Sequence, residues 1–424
     1  MHKVVAILVS LVFIAGTIGN HVYTADVKSY DFGSVGLAIY LVSILSLTLL
    51  SLLGSYLFFT RPLPADKIFL YCLPIISQVC WFFVITLSLL LGINPLDALR
   101  NYYFVPFVTS FYSINHYKLS RYGQPFIPLL YSLLFAFILI LPSIPFVFEH
   151  VLRNALFSLS SLSSQLKTYY YNSSLLFVPF FLVPFDRQFR ILVRSCIRRS
   201  IFRPINLFLV LVPFLAIIVG PVFYLSRSYI AILSVLVFVS LIGVFNWVAK
   251  GLRIRNLSLL LSLASTVLLL VFYPFISQVL DISEFVGRSD VVRLSSRDIQ
   301  LTALLSDLDF FGNGLGSSLK GFDGSAGMHY AVELTYLGII HKYGIFSIPI
   351  LSFLLYPLAF SFRNIFQPSM RGRSLVVFSM SAYIFASFAN PSIGSPWALL
   401  MTVFAFSYAY EYPVCNAGPG SCQE

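Results

Sequence analysis

Charge is scarce in this chain: only 10% of its 424 residues are Asp, Glu, Lys or Arg. That scarcity excludes the two or three soluble domains its length would otherwise suggest. Cysteine is equally thin. Cys72, Cys80, Cys196, Cys415 and Cys422 fall in predicted spans or on the predicted cytoplasmic side. They show no CxxC-type zinc spacing and no outer-face pair, which leaves cysteine chemistry out of the functional reading. No internal repeat or low-complexity tract stands out beyond a Leu/Ser/Phe bias. What is abundant is apolar: 58% of residues are hydrophobic and 43 are Phe. Apolar runs of about 17 to 25 residues recur along the whole length, the spacing a bilayer core demands. The fold class expected is therefore an all-α polytopic membrane protein.

Spans are expected near 4–23, 35–59, 68–91, 99–114, 125–148, 171–185, 205–224, 228–249, 256–280, 344–362, 374–389 and 396–411, about twelve transmembrane helices. The first, "VVAILVSLVFIAGTIG", is read as a retained span, because no small-residue cleavage site ends it. With this map, 17 of the 27 Lys and Arg fall on one side. The positive-inside bias puts both termini in the cytoplasm, and it accounts for much of the +11 net charge without nucleic acid. Of the 16 acids, 12 fall on the opposite face, so that face carries the polar chemistry. The organisation expected is an N-terminal transmembrane half (1–204), central spans (205–280), one large outer loop (281–343), C-terminal spans (344–412) and a cytoplasmic tail (413–424). A loop as long as 281–343 is more often functional than idle.

Three features of the outer face draw attention. Arg227, in "YLSRSY", sits between two spans; it is either a snorkelling interfacial cation or one fixed where lipid phosphates lie. The stretch "RSDVVRLSSRDIQLTALLSDLDFFG" reads as a helix from about 289 to 309, with Asp290 in its first turn. Leu294, Leu301, Leu305 and Leu308 form one stripe, expected to lie down on the bundle. Arg293, Arg297, Gln300 and Leu304 form a second stripe roughly 80° around. Guanidinium groups bind phosphate oxygens through paired donors, so these arginines suit a diphosphate or else make a solvated face. The third feature is "GNGLGSS" with Gly312, Gly314 and Gly316. It is not GxGxxG, it follows a helix, and no Gly-Lys-Ser/Thr ends it, so neither nucleotide-loop mechanism fits. The glycines make a tight turn or an anion nest. Asp307, Asp309 and Asp323 are too scattered for a recognisable metal cluster; no metal and no cofactor is expected.

The order of these features resembles the O-antigen ligase and polymerase superfamily: "SR" at Ser226–Arg227 between two spans, an outer-loop arginine helix, "DFFGNGLGSS", then "ELTYLGIIHKYGIFSIPILSFLL". The similarity covers roughly residues 205–390. It implies a GT-C-like, metal-independent glycosyltransferase in the bacterial inner membrane, acting at the periplasmic face on undecaprenyl-diphosphate-linked glycans. Arg227 matches the "SR" arginine, and Arg293 or Arg297 the loop-helix arginine, with Arg288 beside them as a further pyrophosphate-binding candidate. Glu333 occupies the slot where ligases carry histidine, and His329 lies one helical turn earlier. That departure favours the repeat-unit polymerase branch, with Glu333 or His329 as the base and Gly312, Gly314 and Gly316 as loop backbone near the substrate. The resemblance implies a lipid-linked oligosaccharide as both donor and acceptor, and a chain-length regulator protein as a further partner. His341 is expected to be packing, and the alternative to a catalytic Glu333 is a helix-entry acid paired with Lys342 or an arginine. A ligase differs only in its acceptor. A flippase or other transporter would place ionisable groups near the bilayer midplane, whereas here they gather at one face.

Overall fold

The computed structural model describes residues 1–26, 33–102, 104–117, 119, 299–320, 322, 334–364, 367, 370–381, 384 and 396–411. Everything described is helical or loop, apart from one isolated bridge between Leu319 and Phe322. The expected spans from 125 to 280 lie outside these residues.

The first three long helices match the hydropathy reading closely: α1 (His2–Asp26), α2 (Gly33–Thr60) and α3 (Ile68–Leu90). Among the described residues, three apolar helical stretches are long enough to cross a membrane: Tyr40–Thr60, Ile68–Leu90 and Thr335–Asn364. This is a multi-pass helical membrane protein. The third stretch comprises α7 (Thr335–Tyr343), a short 3-10 turn (Gly344–Phe346) and α8 (Ser347–Asn364). It therefore begins before the span expected at 344, because Gly344 at φ 53° breaks one helix and starts the next. The remaining described helices are α4 (Pro95–Arg100), α5 (Ser110–His116), α6 over 299–306, α9 (Arg371–Ser381) and α10 (Pro396–Glu411). Helix α10 is buried on all sides, as a helix without a polar face should be. Its Phe404 and Phe406 meet Phe13, Phe111 and Phe353 at ring separations of 6.3, 5.2 and 4.5 Å.

The span expected at 99–114 is corrected. Its residues form the end of α4, a non-helical link with Tyr102 at φ 49°, a 3-10 turn (Val105–Thr109) and then α5. Pro106 lacks the N–H that an α-helix passing through it would need. At the rises of these two helix types the run from Val105 to His116 covers about 20 Å, short of a bilayer core. Irregular backbone is tolerated at such depth only inside protein, and Val105, Val108 and every residue from Thr109 to Ile114 are buried. Side-chain hydroxyls tie this segment to α2. The Ser113 hydroxyl donates to the Leu50 carbonyl at 2.7 Å, Ser51 to the Phe107 carbonyl at 3.0 Å, and Thr109 to the Ser51 carbonyl at 3.3 Å.

This close seam depends on Gly54, where a Cβ would land on the Thr109 carbonyl. Gly54→Ala should lower the thermal unfolding temperature of the detergent-solubilised protein, with a cost of about 1–3 kcal/mol for overpacking. An unchanged melting curve would show that the seam is looser than described.

Candidate functional site

The bundle has two chemically different ends. At one, the His2 and Tyr117 rings lie 6.4 Å apart, and Lys67 Nζ donates to the Tyr410 carbonyl at 2.7 Å. This basic end gathers the starts of α1 and α3 with the ends of α2, α5 and α10. Helix α3 runs from there for 23 residues, about 35 Å. At its far end it meets the glycine run.

Three glycines at alternate positions are required by how that run is inserted. Gly312, Gly314 and Gly316 have φ of 83°, 83° and 80°, a region that L-residues with a Cβ rarely enter. Space is as restrictive as angle. A Cβ on Gly312 would meet the Lys342 carbonyl, and one on Gly344 the Phe310 carbonyl, so these two strands of backbone are in mutual contact. A Cβ on Gly314 would lie 2.8 Å from Ser88 Oγ, and one on Gly316 2.6 Å from the Ala98 nitrogen of α4.

The amides of this run are already engaged. Asn313 N donates to the His341 carbonyl at 2.9 Å, Gly314 N to the Lys342 carbonyl at 3.1 Å, and Ile345 N to the Phe310 carbonyl at 2.8 Å. Leu315 N donates to Ser88 Oγ at 2.6 Å, and Gly312 N closes a turn onto the Asp309 carbonyl. The last carbonyls of α7, which have no partner within their own helix, are thus capped from the glycine run. Of the two readings open for the glycines, this favours the turn: the N–H groups of 312–315 are spent on protein acceptors.

Side chains fasten the same joint. Asp307 Oδ2 lies 3.0 Å from His341 Nε2, and Lys320 Nζ lies 3.0 Å from Asp307 Oδ1. The Asn313 amide donates to the Asp307 carbonyl at 2.6 Å and lies 3.0 Å from the same Nε2. Burial works to raise the Asp307 carboxyl. The hydrogen bonds from His341 and Lys320, together with the Lys320 charge, outweigh it and hold the group below the usual carboxylate range. An ionised Asp307 only accepts, so Nε2 must carry the proton, and Nδ1 is left buried with no partner. Lys342 is fully buried, and its ammonium is held by the carbonyl and hydroxyl of Ser317, the latter at 2.9 Å.

The expected orientation of the loop helix is reversed. Gln300 and Leu304 are fully buried, while Leu305 and Leu308 are 56% and 46% exposed and Leu301 is also exposed. The leucine stripe faces outward. It continues into exposed Phe310 and Phe311, and the Phe311 ring lies 6.5 Å from Phe346, itself 4.7 Å from Phe83 on α3. The physical reason is a second apolar environment. In water the leucines would pack on the bundle, whereas beside a membrane the lipid surface competes for them.

Arg227, Arg288, Arg293, Arg297, His329 and Glu333 lie outside the described residues. Of the three aspartates, Asp307 is engaged as above and Asp309 Oδ1 accepts from Phe311 N at 2.9 Å; Asp323 lies outside. The sequence reading does not reach the Asp307–Asn313–His341 joint or the Lys342–Ser317 contact: it has His341 as packing and Lys342 only as one alternative partner of Glu333. Two adjacent ionisable residues inside an apolar helix were the available signal. No family model, curated protein or solved structure matches the chain.

Asp307→Asn should loosen this joint by about 1–3 kcal/mol, the cost of weakening a charge-assisted bond to a buried group. Lys320→Gln should cost under about 1 kcal/mol, since Lys320 is 87% exposed. Limited proteolysis within 299–345 reads the difference, and equal sensitivity would contradict the assignment. Because the Asp307 carboxyl is depressed on folding, its contribution is intact above the ordinary aspartate pKa of about 3.9 and fades as pH falls below it. Wild-type resistance to an acid-active protease should follow that course.

Proposed function

We propose that this protein is a polymerase of undecaprenyl-diphosphate-linked polysaccharide repeat units, working at the periplasmic face of the inner membrane. In this reading an acceptor sugar hydroxyl attacks the anomeric carbon at the reducing end of the growing glycan. The C–O bond to the diphosphate breaks, undecaprenyl diphosphate leaves, and the configuration inverts. The leaving diphosphate needs no proton. It needs its developing charge stabilised, which preorganised guanidinium groups do at low electrostatic reorganisation. Arg227 and Arg293 or Arg297, with Arg288 nearby, take that role. Glu333 or His329 takes the proton of the acceptor hydroxyl.

The observation that supports this reading best is placement. The polar 307–320 segment is locked to the end of the bundle opposite Arg61, Lys67 and His116. If the positive-inside rule orients the chain, that end faces the periplasm. The burial of Gln300 and Leu304 adds a second argument. In sequence, Arg293 and Arg297 share the stripe of these two buried residues, the one set apart from the exposed leucines. The outward leucines and Phe310–Phe311 then rest on the outer leaflet, at the depth where a lipid diphosphate lies.

Arg227→Ala and Arg297→Ala should each leave cells with single-repeat glycans in place of a ladder of chain lengths. Arg297→Lys should remain impaired, because an ammonium cannot pair two oxygens as a guanidinium does. A wild-type ladder in both alanine variants would refute the arginine roles. Transfer to lipid A-core by the purified protein would move the assignment to a ligase.

A further inference from the structure

The basic end holds a cavity of about 350 Å³ that no part of the proposed reaction uses. Its floor is aromatic and rigid. Tyr112 donates from its hydroxyl to the Tyr71 carbonyl at 2.7 Å and accepts from Ile75 N at 3.3 Å, and the Tyr71 and Tyr112 rings pack 5.0 Å apart. Tyr410 closes one side, its ring 5.9 Å from Tyr71 and its carbonyl held by Lys67. The rim is polar and cationic: Arg61, Asn115 and His116 line the mouth. Burial, and after it the Arg61 charge, hold the His116 imidazole below its ordinary value. Neither forms an ion pair with a described residue. A guanidinium and an imidazole thus line one concave site.

We propose that this cavity binds the phosphate headgroup of an anionic phospholipid, with Arg61, Asn115 and His116 as donors to the phosphate oxygens. A cavity of this size, mostly apolar with a few convergent polar groups, is within the range of small-ligand sites. A cation at the mouth attracts an anionic headgroup by charge. A lipid fits better than a free anion because the mouth adjoins large exposed apolar side chains: Phe59, Leu63 and Phe69 follow or precede the lining residues in sequence and are 76%, 44% and 67% exposed. Phe59 is linked to the floor through Phe58, at ring separations of 5.2 Å to Phe59 and 5.0 Å to Tyr112. Acyl chains leaving the mouth would lie along these rings. The site stands whatever reaction the far end performs.

The test uses the full chain in phosphatidylcholine nanodiscs containing a minor fraction of phosphatidylglycerol. The phosphatidylglycerol retained through gentle detergent extraction is counted by mass spectrometry. Arg61→Gln should lower retention roughly fivefold, the equivalent of about 1 kcal/mol for one basic residue at an anionic surface. Arg61→Lys should keep most of it, and Lys3→Gln, an exposed cation at the same end, should change nothing. Because Arg61 is exposed, these variants should elute as wild type does; His116→Gln gives an independent variant, expected to weaken retention in the same direction. Equal retention by wild type, Arg61→Gln and His116→Gln would overturn the proposal. Displacement by millimolar inorganic phosphate would overturn it as well, assigning the cavity to a free anion.

Discussion

A helix that stops inside or beside a membrane leaves its last carbonyls without partners and without bulk water to take their place. Helix α7 meets that constraint at His341 and Lys342, and its solution organises the far end of the molecule. The chain from 310 to 316 returns across the helix end and supplies N–H groups to both carbonyls, while Phe310 accepts from Ile345 in exchange. Such an exchange brings two backbones into direct contact, which is why Gly312 and Gly344 face one another. The same run then steps down onto Ser88 and the first residues of α4, tying the loop to α3. One short segment thereby ties α3 and α7 to one another.

That joint gives the proposed chemistry a rigid base. The catalytic and phosphate-binding groups assigned to the loop flank the joint in sequence: Arg293 and Arg297 precede it, and His329 and Glu333 lie between Lys320 and Thr335. A fixed joint shortens the free reach of both flanks, which is how a long loop holds side chains to the tolerance that transition-state stabilisation needs. Asp307 strengthens the joint at its most buried point, accepting from an imidazole that is itself fully buried. The leucines and Phe310–Phe311 face the other way, leaving an apolar surface turned outward.

Among the described residues, the long helices were legible because bilayer thickness imposes a coarse rule on apolar run length. The expected spans at 4–23, 35–59, 68–91 and 396–411 each correspond to an observed helix of nearly the same bounds. The rule failed at 99–114, where length and hydropathy were adequate but Pro106 and the turn at Tyr102 divide the run. Hydropathy does not register whether a buried backbone is continuous. It failed again at the loop helix, for a different reason. An amphipathic pattern says that two faces differ, and beside a membrane it does not say which one meets protein. The glycines announced a close approach but not its partner, since the contact to residues 342–344 is set by tertiary packing. His341 and Lys342 look in sequence like the polar edge of a span; only the geometry joins them to Asp307, Asn313 and Ser317.

The most direct test of this account is amide hydrogen exchange over residues 312–316 in the membrane-embedded protein. The amides of Asn313, Gly314 and Leu315 donate to His341, Lys342 and Ser88, so they should exchange on the slow scale of α3 despite their place in a glycine-rich loop. Exchange as fast as that of an unstructured peptide would show that the run does not cap α7, and the platform proposed for the outer-face chemistry would be lost with it.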